Sequence, residues 1–237
     1  MSFPASDASN ASEGSVAPAD RPWNLGVLLS GGGRTLENLL GVIDRGELDA
    51  HVSIVVSSVA GVRGLDIATA AGIPAVTVPR LAFGSLGDYS AGIYAAVEPF
   101  APDLLIMAGF LRKMLVFPGW EGRILNIHPA LLPEASAYAA GKGRFGARVH
   151  AAVLANGDQV TGATVHVVTD EYDAGPPLAR AEVPVRDGDT PETLAARVFA
   201  VETAIYPATI RRYMTDHPVL KREGSAITCH QPGEDVC

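Results

Sequence analysis

The sequence predicts an α/β protein: a doubly wound, mostly parallel sheet with helices on both faces. Three observations point there. Short apolar runs recur at fairly even spacing, the segments between them carry apolar residues at helical spacing, and glycine or proline punctuates the joins. The runs Leu25–Leu29, Val52–Val56, Ala75–Val78, Leu104–Met107 and Ile124–Leu125 lack a polar–apolar alternation, as expected of strands covered on both faces. Between them, Thr35–Asp44, Gly64–Ala71 and Leu86–Val97 read as helices. Gly72 suits the C-terminal cap after Ala71, and Pro74 stops any continuation. This strand–helix order predicts right-handed crossovers and a parallel sheet. A second set follows, with Ala147–Ala155 as helix and Ala163–Val168 and Leu178–Pro184 as strands. Thr190 then reads as an N-cap with Pro191 at the first helical position, opening a long helix that reaches about Tyr213. No internal repeat or strong linker divides the core. The expected organisation is one domain over 23–215, a disordered polar extension over 1–22 and a polar tail over 216–237.

Composition narrows the function. At 237 residues and 48% hydrophobic, the chain buries a large core without disulfides. No window approaches the ~20 uninterrupted apolar residues of a membrane span. The net charge is −8, the pI about 5.2, and no basic cluster exceeds Arg211-Arg212, which argues against a nucleic-acid footprint. The first residues lack the basic start and apolar stretch of a signal peptide. Both cysteines, Cys229 and Cys237, lie in the tail, where they clip no core, so the expected compartment is the cytoplasm. Cys229-His230 is a poor metal site, two adjacent ligands without partners, and no metal is expected.

Three segments are candidates for chemistry. Ser30-Gly31-Gly32-Gly33-Arg34-Thr35 follows the first strand and opens the first helix. Glycines let the backbone approach a ligand, and the exposed N–H groups of a helix start favour an anion. A dinucleotide fingerprint needs a third glycine where Leu36 stands and an acidic residue where Ser57-Ser58 stand, and the Walker Gly-Lys-Ser/Thr is absent. A phosphate monoester site or a plain tight turn remains. Asn126-Ile127-His128-Pro129 closes a central strand. Residues two apart on a strand point to one side, so Asn126 and His128 can face one ligand, polarise a carbonyl and hold an oxyanion. The third segment, Thr169-Asp170-Glu171-Tyr172-Asp173-Ala174-Gly175-Pro176, holds three carboxylates. It is either a solvated loop or, folded back over Asn126 and His128, the source of a carboxylate that raises the imidazole pKa and holds a water for proton transfer.

Taken together these segments resemble the folate-dependent formyltransferase family. The shared landmarks also include Ala108-Gly109-Phe110-Leu111-Arg112, Leu131-Leu132-Pro133, Gly162-Ala163-Thr164-Val165-His166 and Glu202 followed by Ala204-Ile205-Tyr206-Pro207, in family order from about Leu25 to Tyr213. The resemblance implies the formyltransferase fold and direct transfer from 10-formyltetrahydrofolate to an amine, without metal or covalent enzyme intermediate. It implies Asn126, protonated His128 and Asp173 as the catalytic set. The glycine loop and last helix are similar to the purine-synthesis branch, whose acceptor is glycinamide ribonucleotide. On that likeness Gly32, Gly33, Arg34 and Thr35 line the phosphate end of the acceptor site and Glu202 its amine end. Leu111, Arg112, Lys113, Met114 and the segment Thr169, Asp170, Glu171, Tyr172 and Asp173 would border the pterin.

The chain departs from that branch in places. Arg34-Thr35 replaces the usual Ser-Asn, Leu86 aligns with an arginine that assists the cofactor, and Lys113 replaces a small apolar residue. Phe199 stands where a polar residue is usual, and the segment Glu134–Arg148, with Gly141-Lys142-Gly143, is longer, as a lid or as a route for Lys142 to the phosphate. Two readings therefore compete with the purine acceptor: a formyltransferase acting on another amine, such as an amino sugar nucleotide, and a non-catalytic folate- or nucleotide-binding module. The expected partners are a phosphorylated amine and folate, with no nucleic acid and no membrane; the oligomeric state, homodimer included, stays open.

Overall fold

A computed structural model describes residues 21–139 and 146–221. The expectations for residues 1–20, for Lys142 in the long segment and for the tail beyond 221, Cys229 and His230 included, lie outside the described residues.

The chain alternates β1 (Trp23–Leu29), α1 (Arg34–Asp44), β2 (Ala50–Ser57), α2 (Arg63–Ala70), β3 (Ala75–Thr77), α3 (Leu86–Val97) and β4 (Leu104–Met107). It continues with β5 (Ile124–His128), α4 (Ser136–Ala139), α5 (Ala147–Asn156), β6 (Val160–Val167), β7 (Pro177–Pro184) and α6 (Pro191–Asp216). The seven strands lie in the order β3-β2-β1-β4-β5-β6-β7. The first five are parallel, β6 runs antiparallel to β5 and β7 antiparallel to β6, so β6 alone opposes the rest and the sheet is doubly wound and mostly parallel. β6 starts before the expected Ala163 because Thr161 and Gly162 continue the ladder opposite Val183 and Glu182. β5 runs on through Asn126 and His128.

Every residue of β1 and β4 is buried, as the apolar runs Leu25–Leu29 and Leu104–Met107 require, and the buried Asn24 donates to the Phe100 carbonyl at 2.6 Å. Alternate residues serve opposite faces. Leu25, Val27, Leu29, Leu104 and Ile106 pack in the larger core with α1 and α6, whereas Leu28, Leu105 and Met107 pack in the smaller core with α3. The strand order reverses between β1 and β4, so their carboxyl ends diverge into loops on either side of a crevice. Ligands of open α/β sheets bind there.

α6 starts with the expected cap. The Thr190 hydroxyl accepts from the Thr193 N–H, the Thr193 hydroxyl accepts from the Thr190 N–H, and Pro191 fills the first turn. The helix runs through Pro207 to Asp216, beyond the expected end. Its buried Tyr206 hydroxyl reaches the carbonyl oxygens of Met107 (3.1 Å) and Leu125 (2.9 Å), pinning the helix across β4 and β5. Glu202 lies one turn earlier on the same helix. Tyr206→Phe is expected to cost ~1–2 kcal/mol, read as a Tm lower by roughly 2–8 °C in thermal denaturation.

Candidate active site

The larger cavity, about 390 Å³, opens at the crevice between the ends of β1, β4 and β5. On one wall lies the glycine turn. Gly33 caps α1 with φ +73°, and a Cβ there would lie 2.6 Å from the Gly64 Cα, so both backbone geometry and packing demand glycine. Around Gly31 and Gly32 a Cβ would meet nothing within 4 Å, which leaves the turn open towards the cavity. Arg63 steadies the turn, donating to the Gly32 carbonyl at 3.1 Å and pairing with Glu37 at 2.9 Å. The first N–H groups of α1, at Arg34 and Thr35, have no helical acceptor and open onto the same cavity. Gly32, Gly33, Arg34, Thr35 and Glu202 all line it.

The opposite wall comes from β5. Asn126 pairs with His166 across the antiparallel β5–β6 ladder. Its Nδ2 lies 3.1 Å from His166 Nε2, while His166 Nδ1 donates to the Val167 carbonyl at 3.0 Å. That network makes Nε2 the acceptor, so Asn126 donates one hydrogen to His166 and keeps the other for a ligand. His128 is buried, and its Nε2 donates to the Ala139 carbonyl at 2.9 Å. Nδ1 is then the ring nitrogen left for chemistry, and it faces Asp173 Oδ2 at 3.6 Å.

Asp173 reaches this position because the loop after β6 folds back, one of the two alternatives the sequence left open. The loop's Asp173 takes φ +52°, a conformation that short polar side chains tolerate. Its carboxylate sits between two imidazoles, 3.6 Å from His128 and 3.7 Å from His166. Both gaps lie within ion-pair reach but beyond direct hydrogen bonds. Two effects oppose each other on His128: burial holds the imidazole below its ordinary 6.5, against the pull of Asp173. His166 is lowered by burial too. Burial thus favours the neutral form of both rings.

The second cavity adjoins the first. Phe110, Met114 and Val168 give it apolar walls, with Arg112, Lys113, Thr169 and Asp170 at its polar edge. Leu111 lies at the boundary, lining the larger cavity, with its N–H held by the Ser30 hydroxyl at 2.8 Å. Asp170 also ties two loops together, accepting from the Val116 N–H at 2.8 Å, and the Lys113 ammonium sits over the Tyr172 ring at 5.5 Å. Leu86, by contrast, packs against the α3 core and lines neither cavity among the described residues. Four residues line both cavities: Phe110, Asn126, Tyr172 and Asp173.

Sequence reasoning assigned no role to His166 or His150. His166 owes its place to strand pairing, with a register no local pattern announces. His150, on the inner face of α5, lines the larger cavity; its Nδ1 has no hydrogen-bond partner among the described residues, and burial, then His128, pushes its pKa down to about 4. Burial moves Glu202 the other way, from 4.5 up to about 7, against the pull of Arg34. Among the described residues no group of three or more His, Cys, Asp or Glu is arranged to hold a metal ion, and no helix is long and apolar enough to cross a membrane.

Residues 24–210 match the family model described as formyl transferase. The chain is 37% identical over 189 residues to phosphoribosylglycinamide formyltransferase of Escherichia coli K12, covering 79% of this chain and 85% of that one. It is 40% identical over 187 residues to the trifunctional purine biosynthetic protein adenosine-3 of Gallus gallus, covering 78% of this chain but only 18% of that relative. The structure is similar to phosphoribosylglycinamide formyltransferase from Coxiella burnetii, with a TM-score of 0.73 at 35% identity over 83% of this chain and 89% of that one.

Proposed function

The chain belongs to the formyl transferase family, and from that premise we propose that it transfers the formyl group of 10-formyltetrahydrofolate to the amine of glycinamide ribonucleotide in purine biosynthesis. One observation carries the reading: Asn126 and Asp173 line both cavities, so they stand where an acceptor in the larger one meets a donor in the smaller. The apolar walls of Phe110, Met114 and Val168 with a polar edge suit a flat pterin. The folate supplies the formyl carbon, and the protein's task is to orient it and stabilise charge.

The glycine turn, the α1 N–H groups and Arg34 bind the phosphate, and Glu202 accepts a hydrogen bond from the amine. As the amine attacks the formyl carbon, the carbonyl oxygen gains charge. The free hydrogen of Asn126 Nδ2 donates to it. The C–N bond to the amine forms, and the proton the amine loses passes through water held by Asp173 to the neutral His128, whose imidazolium Asp173 then holds beside the oxyanion. As the bond to the folate nitrogen breaks, His128 returns that proton through the same water to the nitrogen. The net charge of −8 supports small-molecule substrates rather than nucleic acid, and the span of the family match supports a single catalytic domain over 23–215.

The test is an absorbance assay with the chromogenic donor 10-formyl-5,8-dideazafolate and glycinamide ribonucleotide. Turnover requiring both supports the reading; turnover of the donor only with a different amine keeps formyl transfer and overturns the acceptor.

Glu202 gives the acceptor site a pH dependence. A carboxyl titrating at about 7 ionises as pH rises through neutrality, and an α-amino group becomes nucleophilic over a nearby range, roughly 7.7–8.0. The acceptor KM is expected to fall between about pH 6 and about pH 8. Glu202→Gln is expected to raise it ~10-fold at the upper pH, leave the folate KM within ~2-fold and flatten the pH dependence. Equal weakening of both substrates counts against the assignment.

A further inference from the structure

Two of the positions at which the sequence departs from the purine branch touch each other. The Arg34 guanidinium carbon lies 3.9 Å from the centroid of the Phe199 ring. Arg34 is the first residue of α1 and Phe199 belongs to α6, so the contact joins the glycine turn to the helix that carries Glu202. Ala195, Phe199 and Glu202 are spaced one turn apart along α6, and all three line the larger cavity with Arg34.

An exposed arginine samples many rotamers, and a ligand that uses it must first order it. Stacking on a ring removes much of that freedom in advance and leaves the N–H edge of the guanidinium uncovered. Among the described residues Arg34 makes no side-chain hydrogen bond or ion pair, so its donors are available to a ligand. A competitor is Glu202, whose carboxyl already feels the Arg34 charge. A guanidinium not held on the ring would turn towards that carboxylate and take both groups away from the acceptor.

We infer that Phe199 is a positioning residue for phosphate recognition: it holds Arg34 flat at the mouth of the glycine turn so that the guanidinium edge meets the acceptor's phosphate in a bidentate grip. This rests on the reading of the larger cavity as the site of a phosphorylated amine. The helix start supplies backbone donors to one side of the phosphate, and Arg34 supplies a charged pair to the other.

The test is calorimetric titration of the full-length protein with ribose 5-phosphate, which needs no turnover. Phe199→Leu is expected to weaken binding ~3–10-fold, and Phe199→Trp to restore it, since the ring and not the volume matters. Arg34→Ala is expected to weaken binding at least as much, and Arg34→Ala/Phe199→Leu no further than Arg34→Ala alone, because the two act as one unit. In the transfer assay Phe199→Leu then raises the acceptor KM by the same factor with kcat within ~2-fold, a split that general misfolding does not produce. Wild-type affinity in Phe199→Leu, additive losses in the double variant, or no binding of ribose 5-phosphate to the wild type overturns the inference. Intact ribose 5-phosphate results with no formyl transfer to glycinamide ribonucleotide would instead overturn the acceptor assignment and leave the stack standing.

Discussion

Replacing His128 with alanine is expected to cut kcat by about 10³-fold and to lower Tm by roughly 2–12 °C. Under the proposed mechanism the kinetic loss follows from Nδ1, which faces Asp173 at 3.6 Å and would take the proton when the oxyanion forms. The thermal loss follows from Nε2, which donates to the Ala139 carbonyl; truncation leaves that buried oxygen without its donor, at a cost of ~1–3 kcal/mol. The two effects separate in Asp173→Asn. Asparagine tolerates the left-handed backbone of this position, keeps nearly the same volume and removes the charge that stabilises the imidazolium. Its kcat is expected to fall by a similar factor with Tm close to wild type. Because the pair acts as a unit, the double variant is expected to be little slower than either single one. Single-turnover rates and thermal melts on the three proteins check this. A slow but multiplicative double variant would mean that His128 and Asp173 act independently.

The parts of this site that the sequence made legible are those set by short-range periodicity. Asn126 and His128 share a side because a strand repeats every two residues, and Gly33 precedes a helix because only the turn between β1 and α1 places such a residue there. The reversal of strand order at β1 and β4 follows from the strand–helix alternation. What stayed hidden depends on contacts between distant segments. His166 meets Asn126 through the β5–β6 register, and Arg34 meets Phe199 only once α6 crosses back over the glycine turn. The charge of His128 is hidden for a different reason. It is a balance between burial and the Asp173 carboxylate, and residue identity names both without saying which is larger; packing makes burial the larger. Asp173 itself was one of three carboxylates in its loop, chosen over Asp170 by a fold-back in which Asp170 instead ties down the Val116 N–H.

That fold-back has a single tight point, and Gly175→Ala is expected to lower Tm by roughly 4–16 °C and kcat by at least ~10²-fold. A Cβ on Gly175 would lie 1.7 Å from the Val167 carbonyl oxygen and 2.9 Å from its carbon, both backbone atoms of a sheet strand that cannot swing aside as a side chain does. The loop must move off the end of β6 by more than an ångström, which strains the bond from the Val167 N–H to the Pro176 carbonyl (3.1 Å). Overpacking of this kind costs ~2–4 kcal/mol. Asp173 stands two residues upstream, between imidazoles at 3.6 and 3.7 Å, so the same movement takes its carboxylate out of reach of both. Gly84→Ala serves as the control: nothing lies within 4 Å of a Cβ there, and both Tm and kcat are expected to stay at wild-type values. A Gly175→Ala protein with lowered Tm but full kcat would show that Asp173 keeps its place without the close approach to Val167; a parallel fall in both would tie the chemistry to the absence of one side chain.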